Sequence, residues 1–122
     1  MVRTYRDLVP TISDRALWTT PHVLRRRADT HGGSIALDCP EEARTWTYRD
    51  LLDAAERVGT SLLAAGGEPG DRVLILMQNS SMLVRTWLGS HMAGMVEVPI
   101  NTAYRGQFLE HQTSTVGPRF AV

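Results

Sequence analysis

From about residue 20 onward, the apolar positions repeat first with the period of a helix and then with that of strands. Thr20 followed by Pro21 is typical of a helix start, with Thr20 as N-cap and Pro21 in the first helical position. We expect this helix to run to about Thr30 and to end at the glycine pair of residues 32–33. Residues 1–19 are mixed and weakly patterned, so no element is predicted there.

A β-hairpin is predicted next. Residues 34–38 are typical of a short strand, residues 39–43 form a turn, and residues 44–47 are the returning strand. Thr47 followed by Asp50 resembles a capping box with a shorter acid than usual. A second helix is therefore expected to begin directly after the hairpin.

The second helix has a clear apolar stripe at the three-to-four spacing of a buried face. The stripe consists of Leu51, Ala55, Val58, Leu62 and Ala65. Gly66 and Gly67 are expected to end the helix in a left-handed C-cap, and residues 68–71 to form a turn.

Residues 73–77 form an uninterrupted apolar run between turn signals, which is typical of a strand buried on both faces and therefore of a parallel sheet. Asn79 or Ser80 is expected to cap the next helix, which should end at Gly94. The side chains predicted to point inward are those of Leu83, Trp87, Leu88 and Met92.

The rest of the chain continues the alternation. Val96, Val98 and Ile100 predict a strand, residues 105–115 a helix, and residues 119–122 another strand. The predicted fold class is α/β, a partial doubly wound parallel sheet with flanking helices and an N-terminal β-hairpin. An apolar strand at the last residue further predicts truncation, so residues 1–122 are expected to be an incomplete domain.

Composition narrows the classes of function. Apolar residues make up 43% of the chain and charged residues 21%, as in a globular domain. Thirteen basic residues balance thirteen acidic ones, so no nucleic-acid partner is expected. All the basic residues are arginine, and without lysine the chain supplies neither a Schiff-base amine nor a phosphate-binding lysine. The longest apolar run is far too short for a membrane span.

Cys39, the single cysteine, excludes an internal disulfide and favours a reduced, cytoplasmic compartment. The neighbouring acids should raise the pKa of its thiol, so an unreactive turn residue is expected. The N-terminus lacks the apolar stretch of a signal peptide.

No local motif predicts catalysis. Gly66, Gly67 and Gly70 follow a helix and precede a strand, the reverse of the order in a dinucleotide-binding loop. Ser90 lies inside a predicted helix, so it does not form a nucleophile elbow. The histidines at positions 22, 31, 91 and 111 lack the spacing of metal ligands.

Two further groups are expected to be structural. Arg25, Arg26 and Arg27 are interpreted as a solvated face without the aromatic residues of a nucleic-acid patch. Trp18, Trp46 and Trp87 are expected in core or edge packing.

Four stretches in register nevertheless resemble the adenylate-forming (AMP-binding) enzymes from about residue 18 to residue 122. Residues 45–51 resemble the family's opening Thr-aromatic segment, and residues 70–73 its Gly-Asp-Arg-Val strand entry. Residues 78–80 are similar to the Asn-Ser that follows that strand. Residues 94–101 resemble the family's Gly-Ala…Val-Pro-Ile-Asn stretch.

The resemblance implies the leading lobe of the family's large domain. Family members activate a carboxylic acid with ATP and Mg²⁺ through an acyl-adenylate, and the acyl-CoA synthetases then transfer the acyl group to CoA. Residues 101–106 and 109–112 resemble ligases of fatty acids and of carnitine or crotonobetaine.

The resemblance carries no catalytic, ATP-binding or metal-binding residue onto this chain, because the phosphate loop and catalytic lysine of the family are absent. ATP, Mg²⁺, CoA and the acid are therefore expected to bind through residues outside it, and the fragment alone is expected to be inactive. Arg105 is a candidate for a CoA phosphate, with solvation at a helix start as the favoured interpretation. Two alternatives stay open, a peptide-synthetase adenylation domain and a stand-alone, non-enzymatic α/β binding module.

Overall fold

The computed structural model describes residues 14–122, and its elements follow the predicted order. The helices are α1 (Thr20–His31), α2 (Tyr48–Ala64), α3 (Ser81–Met92) and α4 (Gly106–Val116). The strands are β1 (Ile35–Cys39), β2 (Arg44–Thr47), β3 (Arg72–Ile75), β4 (Val96–Pro99) and β5 (Phe120–Ala121). Short 3-10 helices cover Arg15–Leu17 and Pro40–Glu42. Of the segment predicted to carry no element, residues 1–13 lie outside the described part, and the first 3-10 helix covers half of the remaining residues 14–19.

The strands form two sheets. β1 and β2 pair antiparallel as the predicted hairpin, with an irregular register between Ile35 and Leu37. β3 pairs in parallel with β4 on one edge and with β5 on the other, giving the order β4-β3-β5. The predicted α/β class with a parallel sheet and a preceding hairpin is confirmed.

The strand order places helices on both faces of the parallel sheet. The chain passes from β3 through α3 to β4 on one side, and from β4 through α4 to β5 on the other. Right-handed crossovers in opposite directions put α3 and α4 on opposite faces. Val73 and Ile75 are buried against Ala93 and Met95 on the α3 side, whereas Leu74 alternates to the other face and is buried there.

Helix α2 begins where the sequence predicts. The backbone N–H of Asp50 donates to Thr47 Oγ1 at 3.1 Å, and the backbone N–H of Thr47 donates to Asp50 Oδ2 at 3.1 Å. The predicted capping box is therefore confirmed. Hydrogen bonds from the side chain and then the backbone of Thr47 lower the pKa of Asp50.

The end of α2 is a Schellman motif. The N–H of Gly66 donates to the carbonyl of Leu63 at 3.0 Å, and the N–H of Gly67 donates to that of Leu62 at 3.1 Å. Gly66 has φ of 88°, a conformation that a side chain would strain. The predicted left-handed C-cap is confirmed, and Ala65 is an exposed C-cap residue rather than part of the buried stripe.

Helices α1, α2 and α3 share one apolar core, which consists of Leu24, Ala28, Leu51, Leu52, Ala55 and Leu88. Helices α2 and α3 approach closely at two glycines. A Cβ added to Gly59 would lie 2.9 Å from the carbonyl oxygen of Gly89, and a Cβ added to Gly89 would lie 2.5 Å from Cβ of Val58. Neither site has room for a methyl group.

Two further expectations were wrong. The N-cap of α1 is Thr19 rather than Thr20, because proline is tolerated anywhere in a first turn, whose N–H groups have no helical partner. Trp87 is 42% exposed rather than inward, because it is offset by about 100° from its neighbour Leu88, which takes the core-facing position. Trp46 is 3% exposed and confirms core packing, while Trp18 lies at the surface beside Arg15.

We predict that Gly89→Ala destabilises the chain. Overpacking costs about 1–3 kcal/mol, and the better helix propensity of alanine returns about 1 kcal/mol at most. Urea unfolding followed by far-UV circular dichroism should show a lower midpoint at unchanged slope. Gly33→Ala is the matched control, because a Cβ there meets nothing within 4 Å. Equal midpoints for the two variants would contradict the close packing of α2 on α3.

Candidate ligand-binding crevice at the carboxyl edge of the parallel sheet

A crevice opens where β3 and β4 end. The last hydrogen bond of their ladder runs from the N–H of Ile100 to the carbonyl of Ile75 at 3.0 Å. Beyond it, residues 76–80 turn toward α3 and residues 100–105 toward α4. Because these connections leave toward opposite faces, this edge is a topological switch point, the place where open α/β sheets bind ligands.

The crevice has a volume of about 360 Å³. Its lining comes from both connections and from the first turn of α3. The residues are Met77, Gln78, Asn79, Leu83, Pro99, Ile100, Asn101 and Thr102. None of them is charged, so the crevice combines apolar walls with neutral polar groups.

Several polar groups of the crevice have no protein partner among residues 14–122. The side chains of Gln78 and Asn79, and the N–H groups of their backbones, make no hydrogen bond with described residues. Asn101 Oδ1 accepts the N–H of Ala103 at 2.8 Å, which leaves its side-chain NH₂ available. A carboxamide offers two donors and an acceptor, so these groups suit a neutral polar ligand.

The N-terminus of α3 borders the crevice but is already capped. Ser80 Oγ accepts the N–H of Leu83 at 3.2 Å. The backbone N–H of Ser81 donates to Glu42 Oε1 at 2.7 Å and its hydroxyl to Glu42 Oε2 at 2.5 Å. A carboxylate thus occupies the position that an anionic ligand would take at this helix end.

The same contact anchors the hairpin to α3. Hydrogen bonds from the Ser81 side chain and then its backbone lower the pKa of Glu42, with smaller help from Arg85 and Arg44. Those two guanidinium groups also lie over the ring of buried Trp46, at 3.7 Å for Arg44 and 4.7 Å for Arg85. Two contacts therefore hold the hairpin against α3 beside the crevice. One is the Glu42 carboxylate at the N-terminus of α3, and the other is the Arg85 guanidinium over the ring of Trp46.

The residues weighed from the sequence for chemistry are structural. Ser90 is fully buried in α3 and donates its hydroxyl to the carbonyl of Thr86 at 2.8 Å. Gly70 lies in the predicted turn with φ of 90°, and its N–H donates to the carbonyl of Gly94. Cys39 ends β1 and is buried, and burial followed by the charge of Glu42 raises the pKa of its thiol.

Arg105 is the N-cap residue of α4, as the helix-start interpretation predicts. Its guanidinium donates hydrogen bonds to the carbonyl oxygens of Thr102 and Tyr104. These bonds stabilise the loop that connects β4 to α4. Within residues 14–122, no three His, Cys, Asp or Glu side chains form a group able to hold a metal ion.

Sequence reasoning missed Gln78, Asn79 and Asn101 as a group. The available signal was their position directly after two predicted strands.

In the part of the chain that the structure describes, no helix has the length and apolar character needed to cross a membrane.

Comparison with known proteins shows a match between residues 24–122 and the family model described as "AMP-binding enzyme". The 3-hydroxybenzoate--CoA/4-hydroxybenzoate--CoA ligase of Thauera aromatica is 44% identical over 70 residues, which is 57% of this chain and 13% of that protein. Phosphinothricin tripeptide synthetase PhsC of Streptomyces viridochromogenes is 31% identical over 103 residues, 84% of this chain and 9% of that one. The chain thus spans about an eighth of the first of these relatives.

Solved structures show the same fold. The Mycobacterium tuberculosis fatty acyl CoA synthetase superposes with a TM-score of 0.82 at 30% identity, covering 88% of this chain and 22% of that one. The N-terminal domain of FACL13 from the same organism gives a TM-score of 0.80 at 30% identity, covering 84% of this chain and 26% of that one. The described part therefore matches about a quarter of the N-terminal domain of FACL13.

We predict that Glu42→Gln lowers the unfolding midpoint in urea at pH 7, because the α3 N-terminus loses its anionic cap. The pKa of Glu42 is lowered by folding, so its contribution is complete above the ordinary value of 4.5. It is lost as pH falls below 4.5 through the lowered native pKa. The difference between wild type and variant should therefore shrink in that range. Glu41→Gln is the control on the same turn, and a difference independent of pH would contradict the carboxylate contact.

Proposed function

The chain belongs to the AMP-binding enzyme family, and on that premise we propose that it forms the amino-terminal part of an ATP-dependent acyl-CoA ligase. The complete enzyme would convert a carboxylic acid to an acyl-adenylate and transfer the acyl group to CoA. The observation that carries the proposal is the match of residues 24–122 to the family. Residues 1–122 would then be an incomplete N-terminal portion of the adenylation domain.

In this proposal the chain acts as a scaffold. Adenylation depends on preorganised donors to phosphate oxygens and on a metal ion. The chain has no lysine, and its described residues form no acidic cluster for Mg²⁺. ATP, Mg²⁺ and CoA would bind through residues outside the chain, and no catalytic residue is assigned within it.

A fatty acid is the substrate we propose. Support comes from the likeness to the M. tuberculosis fatty acyl CoA synthetase. The relatives also include ligases named for hydroxybenzoate and coumarate, so aromatic acids are the competing class of substrate. A cytoplasmic location is proposed from the lone free thiol of Cys39, which suits a reducing compartment.

A peptide-synthetase adenylation domain is the second candidate, favoured by the match to PhsC over 84% of the chain. The coding sequence beyond codon 122 separates the two. A carrier-protein domain downstream would support the synthetase, whereas a frame ending with the adenylation domain would support the ligase.

We predict that the isolated chain of 122 residues catalyses no ATP–pyrophosphate exchange above the blank with fatty, aromatic or amino acids. The physical reason is that it has no lysine and that its described residues form no metal-ligand cluster, so it lacks groups of the kind that stabilise the charge developing on the α-phosphate during adenylyl transfer. Exchange is measured with labelled pyrophosphate, using the M. tuberculosis fatty acyl CoA synthetase as the positive control. Exchange clearly above the blank would contradict the scaffold role.

A graft tests the scaffold directly. Residues 24–122 replace the matching segment of the M. tuberculosis fatty acyl CoA synthetase, and fatty-acid-dependent exchange is measured. We expect activity within about tenfold of the parent, because the grafted part supplies packing rather than chemistry. The same graft carrying Gly89→Ala should have a lower melting temperature. A folded graft without exchange would contradict the proposal and favour a non-enzymatic module.

A further inference from the structure

We propose that the β1–β2 hairpin is a flap that is hinged at its base, closed on α3 by Glu42, and able to open while the parallel sheet stays intact. The flap consists of residues 35–47, from the start of β1 to the end of β2. The opening itself does not depend on the proposed function. Only its consequence for the crevice rests on that function.

The base of the flap is fixed by hydrogen bonds to backbone carbonyl groups. The N–H of Tyr48 donates to the carbonyl of Ser34 at 3.1 Å, and the N–H of Arg49 donates to that of Gly32 at 3.1 Å. The Arg49 guanidinium also donates to the carbonyl of Ala28 at 2.8 Å, which ties the same place to α1. The flap therefore has a fixed point of attachment about which its far end can move.

The far end of the flap is held by side chains. β1 and β2 form a separate two-stranded sheet, and within residues 14–122 the flap backbone makes no hydrogen bond to α3. The polar contacts are the two hydrogen bonds that Ser81 donates to the Glu42 carboxylate, and the Arg85 guanidinium 4.7 Å from the centre of the Trp46 ring. An isolated two-stranded hairpin is at best marginally stable in water. The closed position therefore depends on these contacts and on the burial of Trp46.

Two features oppose closure. A cavity of about 350 Å³ lies between the flap and the first turns of α3, with Leu37, Cys39, Leu83 and Val84 among its lining residues. Side chains that face a cavity have fewer packing partners than those in a filled core. Trp46 is 3% exposed, yet its indole N–H is buried without a hydrogen-bond partner among the described residues. Opening would let water accept this N–H and recover the free energy lost on its burial.

Opening of the flap would also alter the neighbouring crevice. Asn79 and Leu83 line both the crevice and the cavity beneath the flap. The Glu42 carboxylate caps α3 at Ser81, close to Asn79 in the chain, so loss of this contact releases the end of the segment that joins β3 to α3. Within the proposed ligase, the flap would regulate the position of one crevice wall and would not itself supply a binding group.

The test is hydrogen–deuterium exchange of the ¹⁵N-labelled chain of 122 residues, followed by NMR and expressed as the protection of each N–H relative to its intrinsic rate. The indole N–H of Trp46 is the reporter, because burial alone protects it. Trp87, which is 42% exposed, supplies the accessible indole. The N–H of Ile100, bonded to the carbonyl of Ile75, represents the parallel sheet. We expect protection of Trp46 to lie between that of Trp87 and that of Ile100.

Urea separates local from global opening. Local opening exposes little surface, so exchange of the Trp46 indole should hardly change with urea below the unfolding transition. Exchange of Ile100 through global unfolding should rise steeply over the same range. The proposal is overturned if the Trp46 indole is as accessible as that of Trp87, or if it shares the protection and urea dependence of Ile100.

Glu42→Gln removes the carboxylate and keeps the size of the side chain. It should raise the exchange rate of the Trp46 indole about fivefold, the equivalent of one hydrogen bond of about 1 kcal/mol, although Trp46 itself is unchanged. Ser81→Ala removes the hydroxyl on the other side of the contact and should act in the same direction. Glu41→Gln, on the same turn, is the matched control and should exchange like wild type. Equal Trp46 exchange in the Glu42 and Glu41 variants would overturn the role of Glu42 in closing the flap.

The link to the crevice is tested in the same spectra. The amide shift of Asn79 should change in Glu42→Gln and stay unchanged in Glu41→Gln, and an unchanged shift in both would reject the link and keep the flap. Exchange needs neither ATP nor turnover, so the result is separable from the proposed function. A locally opening flap together with an inactive, folded graft would reject the ligase and keep the flap.

Discussion

The pairing of β3 on both of its edges is the constraint on which the rest of the structure depends. A buried strand must satisfy its backbone N–H and carbonyl groups, and β3 does so with β4 on one side and β5 on the other. Since β4 and β5 are successive strands, the chain has to cross from one edge to the other. That crossing sends α3 and α4 to opposite faces and separates the connections after β3 and β4. The crevice is the space between those connections.

Local signals in the sequence were sufficient for most elements. The apolar run at residues 73–77 predicts a doubly covered strand, and its first three residues are buried in β3, whereas the strand ends at Ile75 and Leu76 is exposed. The Thr47–Asp50 pair marks the start of α2. These features are local because a cap or a strand period involves residues a few positions apart. Gly66 and Gly67 belong to the same class, since a Schellman motif is complete within one turn of helix.

What the sequence did not predict depends on distant neighbours. Whether Trp87 or Leu88 faces inward depends on which side of α3 the helix α2 packs against. The periodicity of apolar residues along α3 does not specify that side. Gln78 and Asn101 lie 23 positions apart in the chain and share a crevice only because β4 neighbours β3. Strand order is a property of the whole sheet, and no window of sequence encodes it.

Cys39 gives the hairpin a built-in chemical reporter. Its thiol is buried at the end of β1, and burial together with Glu42 and Asp38 raises its pKa. Only an exposed thiolate reacts with an alkylating reagent, so modification of the buried thiol requires a local opening around the end of β1. The rate of alkylation under native conditions would then measure how often the end of β1 opens locally while the parallel sheet stays folded. A single cysteine in a chain free of lysine makes that signal unambiguous in an intact-mass spectrum.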